Sequence, residues 1–168
     1  KCECIRCREP KGKKIDFDSV KLLREDYQAN GSEEIFLSFE DTKNDLILGF
    51  CRLRNPSKPF RPEITERTLG IRELHVFGQS LAIGAEGLGA QHKGFGHKLL
   101  EEAEKISLEE FDPKKLCIIS GVGAKEYYKK FGYTNEGVYV SKKLKWIGES
   151  MVDEISHGEE NVKKVEET

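Results

Sequence analysis

The hexapeptide Gln91-His92-Lys93-Gly94-Phe95-Gly96 decides how this chain folds. It follows the alternating, strand-like stretch Ile71–Phe77 and opens the clearest helix of the sequence, Phe95–Ser107. In that helix Leu99, Leu100, Ala103 and Ile106 recur at helical spacing with charges between them. A helix N-terminus leaves backbone N–H groups unpaired and carries a partial positive charge. Gly94 and Gly96 remove side chains, so those amides can close on a pyrophosphate, while Lys93 and His97 add charge or hydrogen bonds at the rim. A lone Gly-x-Gly is common and by itself describes an ordinary loop and helix cap. Here a strand precedes it and a strand–helix–Gly–Tyr unit follows, which favours the anion-binding reading.

Working outward, Ile35–Phe39 and Leu46–Arg54 read as a hairpin of two strands joined through the polar stretch Asp41–Asp45. Arg52 and Arg54 share one face of the second strand. Asn30-Gly31 is the turn before the pair, and Ile15–Tyr27 fits either a strand or a short helix. Pro56, Pro59 and Pro62 mark a loop. Alternation over Ile71–Phe77 places Ile71, Glu73, His75 and Phe77 on one face and Arg72, Leu74 and Val76 on the other. Gly84, Gly87 and Gly89 then form a glycine-rich loop. Beyond the central helix, Leu116–Ser120 has the apolar pattern of an interior strand, Ala124–Phe131 is a short helix stopped by Gly132, and Tyr133–Leu144 supplies one or two closing strands. No internal repeat is visible.

The chain has 168 residues, 37% hydrophobic and 35% charged, which suits one domain with a well-solvated surface. No run approaches the roughly 18 apolar residues of a membrane span, and no signal peptide is visible in these residues, so no membrane partner is expected. Because the first residue is Lys1 rather than Met, the chain is expected to be a fragment or a processed product. From Lys145 onward three lysines face seven acids, whereas residues 1–144 carry a small basic excess, too small to announce nucleic acid by itself. Cys2, Cys4 and Cys7 are bunched rather than spread, which points to a metal and to a reducing, cytoplasmic setting. Three thiolates suit Zn²⁺, which normally takes four ligands. Cys51 is the first choice for the fourth, Cys117 reads as core, and an iron–sulfur cluster or simple free thiols are the weaker readings. The expected division is a cysteine-rich segment over 1–14, an α/β domain over 15–144 and a flexible acidic tail over 145–168.

Gln91–Gly96 resembles the Q/R-x-x-G-x-G/A turn with which GNAT acetyltransferases bind the pyrophosphate of coenzyme A. Three further stretches make the resemblance more specific: Arg72-Glu73-Leu74-His75-Val76-Phe77-Gly78, Ile119-Ser120-Gly121-Val122-Gly123 and Tyr127-Tyr128-Lys129-Lys130-Phe131-Gly132-Tyr133. Together and in this order they resemble the Elongator catalytic-subunit family over about residues 1–144. The resemblance implies a GNAT fold, a mostly antiparallel mixed sheet splayed around a coenzyme A site with helices on both faces. It implies acetyl-CoA as cofactor, tRNA as partner, and a preceding radical S-adenosylmethionine domain with its own iron–sulfur cluster. That pair of domains would install a carboxymethyl-type group at C5 of the wobble uridine, and archaeal members do so without other Elongator subunits. The resemblance also places a zinc-binding cysteine motif at the domain junction. Lys145–Thr168 is longer than it leads one to expect.

Cofactor contacts are expected from Leu74, His75 and Val76, from Gln91, His92, Lys93, Gly94, Phe95, Gly96 and His97, and from Tyr127 and Tyr128. In GNAT folds a tyrosine near the last pair meets the coenzyme sulfur. A phenol has a pKa of about 10 and a thiol about 8.5, so it protonates a departing thiolate only when hydrogen-bonded and shielded. Adjacent helical residues point about 100° apart, so the plainer reading puts one of the two tyrosines in the core; at least one is expected to be functional, and periodicity does not choose which. Glu73 is a candidate base, and His75 a phosphate or water ligand or, at even odds, a buried support of the sheet. Arg72 reads as structural or as an RNA contact. Lys11, Lys13, Lys14, Arg52, Arg54, Lys93, Lys125, Lys129 and Lys130 can follow a tRNA backbone if folding gathers them. The leading reading is the acetyl-CoA-binding half of a tRNA uridine-modifying enzyme. A lysine N-acetyltransferase is the alternative, and a non-catalytic RNA-binding module a third.

Overall fold

Asn30 and Gly31 both take positive φ, +50° and +69°. Two such residues in succession give a turn whose twist matches a hairpin. They join strand β1 (Val20–Ala29) to β2 (Ser32–Asp41), so most of the stretch whose periodicity was ambiguous is strand, entered through a short 3₁₀ turn at Phe17–Ser19. The computed structural model describes residues 2–58, 61–78 and 94–145. Pro59, the loop with Gly84, Gly87 and Gly89, the turn residues Gln91, His92 and Lys93, and residues 146–168 of the tail lie outside the described residues.

Antiparallel pairing continues through β3 (Leu46–Asn55) to β4 (Thr68–Val76). Strand β4 then runs parallel to β5 (Lys115–Ile119), but only over the four pairs from Thr68–Lys115 to Ile71–Ile118. Strands β6 (Thr134–Glu136) and β7 (Tyr139–Lys143) close the sheet, whose order is β1-β2-β3-β4-β5-β7-β6.

Helix α1 (Ile5–Arg8) lies by β3 on one side, and α2 (Phe95–Ile106) packs on the other. Phe95, Leu99, Leu100, Ala103 and Ile106 form the buried stripe of α2. The last four pack with Ile35, Leu37, Cys51, Leu53 and Ile71 from the sheet. Helix α3 (Lys125–Lys129) adds Tyr128 to the same core. No described helix is long and apolar enough to cross a membrane.

One expected face assignment is corrected. The β3–β4 register shifts between Arg52 and Leu53, which pair with Glu73 and Ile71 respectively, leaving Arg72 as an extra residue. A bulge of this kind breaks strict alternation. Ile71 therefore joins Leu74 on the α2 side, while Glu73 and His75 face the other way.

The β2–β3 turn is organised by Asp41, which is fully buried. Its carboxylate accepts from the backbone N–H groups of Asp16 (2.8 Å), Lys43 and Asn44 (both 3.1 Å), the Ser19 hydroxyl (2.5 Å) and the Asn44 amide (2.8 Å). Burial alone would raise its pKa, but these donors, Ser19 and Asn44 foremost, hold it well below the ordinary carboxylate range. Asp41→Asn is expected to cost about 1.5–3 kcal/mol at pH 7, read by urea unfolding. A group with a depressed folded pKa contributes fully above its unfolded value of about 3.9 and loses that contribution as pH falls toward the folded one. The gap between variant and parent should therefore narrow below about pH 4. A gap that stays constant into acid would contradict this role for Asp41.

Candidate functional site

The pairing of β4 with β5 stops at Ile71–Ile118, while β4 runs on to Val76. A wedge opens there, and on the α2 side it forms a cleft of about 480 Å³. Leu74 and Val76 line it from β4, Gly94, Gly96 and His97 from the start of α2, and Tyr127, Tyr128 and Phe131 from α3 and the residues just after it.

Gly94 is the N-cap of α2 at φ +70°, with no side-chain cap. A left-handed cap without a side chain leaves the first-turn N–H groups of the helix open to an anion. Gly96 sits so close to α3 that a Cβ would lie 2.8 Å from the Tyr127 hydroxyl and 3.4 Å from Val76 Cγ2. Phe95 points away, stacking on Phe39 at 4.6 Å between centroids. It is therefore an anchor for the helix start, not a cleft-lining residue. His97 lies flat against Phe131, 4.3 Å between centroids and 17° from parallel. Gln91, His92 and Lys93, the other expected turn contacts, are outside the described residues.

The two tyrosines separate. Tyr128 is 6% exposed and belongs to the main core, where burial pushes its pKa up to about 12. Tyr127 is 36% exposed, meets Tyr128 and Phe131 edge-on, and carries its hydroxyl over Gly96. Burial raises its pKa as well. A phenol kept protonated beside the cleft is equipped to give its proton to a thiolate forming there.

Glu73 and His75 are not in this cleft. Their side chains project from the opposite face of β4, where they line a second hollow of about 400 Å³ with Phe50, Phe77, Arg6 and Lys11. His75 meets Phe77 at 4.5 Å and Phe50 at 5.9 Å, and Glu73 lies 3.6 Å from Arg52. The sheet thus divides these two from Tyr127, and neither faces a thioester in the α2-side cleft.

Cys2, Cys4 and Cys7 are exposed, with their sulfurs all within 4.8 Å of one another. Hydrogen bonds from the Cys2 thiol and the Cys7 backbone hold Cys4 at about 7, while sharing with Cys4 and Cys2 pushes Cys7 up to about 11. Cys51 does not complete the set. Its strand passes α1, but its side chain points to the α2 side, is fully buried in the main core, and is pushed up to about 12. Phe50, one residue earlier, is the one that faces the N-terminal segment. Among the described residues no fourth donor joins the trio.

Sequence reasoning missed Phe131 as a cleft wall and Glu34 as a hub. Glu34 is an acid at the start of an apolar strand, and that oddity was its available signal.

A splayed mixed sheet with a glycine-capped helix opening on its wedge defines a GNAT-fold domain. A GNAT-family protein from Desulfovibrio desulfuricans shares that fold, with a TM-score of 0.50 at 15% identity over 67% of this chain and 70% of the other. No family model matches the chain. Comparison with curated proteins is more specific. The chain is 51% identical over 152 residues to a tRNA uridine(34) acetyltransferase of Methanocaldococcus jannaschii, covering 86% of this chain and 28% of that protein. It is 48% identical over 150 residues to Elongator complex protein 3 of Dictyostelium discoideum, covering 86% and 27%. The structure of Methanocaldococcus infernus Elp3 with an N-terminal deletion superposes with a TM-score of 0.78 at 49% identity, covering 86% and 36%. The chain is homologous to part of these tRNA uridine(34) acetyltransferase and Elongator catalytic-subunit relatives, and it spans under a third of the length of the two curated ones.

Gly96→Ala tests the cleft. The new methyl group would displace the Tyr127 hydroxyl, which is the end of a partly exposed side chain and can move. Alanine also gains about 0.5–1 kcal/mol over glycine inside a helix. The expected outcome is a melting temperature within a few degrees of the parent and at least about tenfold weaker binding of acetyl-CoA by calorimetry. Equal affinity would show that the α2 start and Tyr127 do not share a ligand.

Proposed function

We propose that the chain is the acetyl-CoA-binding part of a tRNA wobble-uridine-modifying acyltransferase, acting at C5 of the uridine. The observation that carries this reading is the uncapped start of α2 at Gly94 and Gly96, set against the Tyr127 hydroxyl across one cleft. The names of the relatives support the substrate, and the fold supports the cofactor. Acetyl-CoA supplies an activated two-carbon unit as a thioester. In this reading the first-turn amides of α2 hold the pyrophosphate, and Leu74 and Val76 give the pantetheine arm an apolar wall. Water would attack the thioester carbonyl as the C–S bond breaks, leaving a carboxylate, and Tyr127 would give its phenolic proton to the departing thiolate and regain one from that water. A radical step at the acetyl methyl would need the S-adenosylmethionine and iron–sulfur chemistry of a further domain, which the family resemblance places before this one. Lysine N-acetylation is the weaker reading, because it needs a base at the thioester and Glu73 faces away from the cleft.

Calorimetry with acetyl-CoA, with thioester hydrolysis followed with and without tRNA, tests this. Tyr127→Phe should keep binding within about threefold and slow hydrolysis by about 100-fold, the scale of one general acid. Tyr128→Phe should change both by less than about threefold, since Tyr128 is 6% exposed and packs in the main core, and no proton transfer is assigned to it. A reversed ranking would move the proton donor to Tyr128, and an absence of binding would sink the cofactor assignment.

The proposal includes Zn²⁺ on Cys2, Cys4 and Cys7. A Zn–S bond of about 2.3 Å sets tetrahedral sulfurs about 3.8 Å apart, and the trio's sulfurs lie within 4.8 Å of one another. The metal would pin the N-terminal segment rather than take part in chemistry. Metal analysis should find one zinc per chain, and Cys4→Ser should lose it. The melting temperature should fall by only a few degrees, because the trio is exposed and outside the three apolar clusters.

A further inference from the structure

The fork between β4 and β5 has a second side. On the face opposite Tyr127 lies a pocket of about 380 Å³, within the range of roughly 300–1,000 Å³ typical of small-ligand sites. Its floor is apolar, from Ile64, Cys117 and Tyr139, which form their own small buried cluster. Its mouth is cationic, with Arg54 from the end of β3 and Arg72 from the β4 bulge. Arg72 directly follows Ile71, the last β4 residue paired to β5. The pocket therefore opens at the point from which the cofactor cleft opens on the other face.

Both arginines are held by one carboxylate. Glu34 is 1% exposed, and a single oxygen, Oε1, accepts from Arg54 (2.8 Å) and from Arg72. The Tyr27 hydroxyl donates to Oε2 at 2.7 Å, and the second Arg54 nitrogen donates to the Ser32 hydroxyl at 2.9 Å. Burial pushes Glu34 up, but the bonds from Tyr27, Arg72 and Arg54 outweigh it and keep the carboxylate charged. Two guanidinium groups thus converge on one carboxylate, and among the described residues no other carboxylate pairs with either. Arg72 remains 47% exposed, with nitrogen atoms to spare. A phosphate would complete the charge balance, and Arg presents a planar fork suited to it.

We propose that Arg54 and Arg72, gathered by Glu34, bind a backbone phosphate of single-stranded RNA and seat its adjoining nucleotide in this pocket at the fork. The inference rests on the reading that RNA is the acceptor. The acceptor strand would then approach from the face opposite the cofactor, and the two clefts would meet where β4 and β5 part.

The test is fluorescence anisotropy of the full chain with a labelled hexauridylate between 50 and 300 mM KCl. Losing one phosphate contact should lower the slope of log affinity against log salt by about 0.7 for a single strand. Arg72→Gln is expected to show that drop and about tenfold weaker binding at the lower salt. Arg72→Lys, which keeps the charge without the fork, should keep the slope and lose part of the affinity. Arg24→Gln removes a charge from the α2 side, where Arg24 pairs with Glu110, and should match the parent. Competition by unlabelled hexauridylate but not by equal inorganic phosphate supports the RNA site, whereas equal competition by both marks a free-phosphate site and overturns it. Equal slopes for parent and Arg72→Gln, or no binding of hexauridylate by the parent, also overturn it. Acetyl-CoA titration of the same sample reports separately on the cofactor reading, so failure of one is not mistaken for failure of the other.

Discussion

The structure turns on the early end of one strand pairing. Strands β4 and β5 exchange backbone hydrogen bonds for only four residue pairs, and β4 then continues with β3 alone. Backbone groups freed in this way must find other partners or face solvent or a ligand. The bulge at Arg72 falls immediately after the last shared pair. It lets β4 change which side chains it offers to each face just where its neighbour departs. Below the fork, Leu69 and Ile71 pack with Leu116 and Ile118 beneath α2; above it, Leu74 and Val76 line a cleft.

The rest of the α2-side site follows from that opening. Helix α2 is seated by its buried stripe, and Phe95 is locked separately against Phe39 and Leu48, so the helix start cannot slide along the wedge. Gly94 then faces an opening, while Gly96 lies close under the Tyr127 hydroxyl. Tyr127 comes from α3, about thirty residues later, and reaches Gly96 only because β5 turns away and delivers α3 to the far side of the wedge.

The opposite face is built on charge. Glu34, Arg54, Arg72 and Tyr27 form one hydrogen-bonded group at its edge, and Phe36, Phe50, His75 and Phe77 form an aromatic patch nearer the N-terminal segment. Arg52 bridges the two, lying over the Phe36 and Phe50 rings and beside Glu73. The cysteine trio and α1 sit on this side, which is why a buried thiol on the α2 side of β3 cannot serve them.

The sequence by itself determined the features set by local chemistry. The Asn30-Gly31 turn, the β2–β3 hairpin, the amphipathic α2 and the short helix stopped by Gly132 were all legible, because a turn needs residues tolerant of positive φ and a packed helix needs an apolar stripe. The ordered motifs around Glu73, Gly94 and Tyr127 also pointed to the family. Tertiary structure alone decided which residues face each other. A one-residue bulge at Arg72 shifted Ile71 out of register with Glu73, and strand alternation put Cys51 and Phe50 on opposite faces, so closeness along the chain did not become closeness in space. Likewise both tyrosines border the cleft, but Tyr127 carries its hydroxyl over Gly96 while Tyr128 packs into the core. Periodicity states that two such neighbours diverge, but only packing assigns the direction.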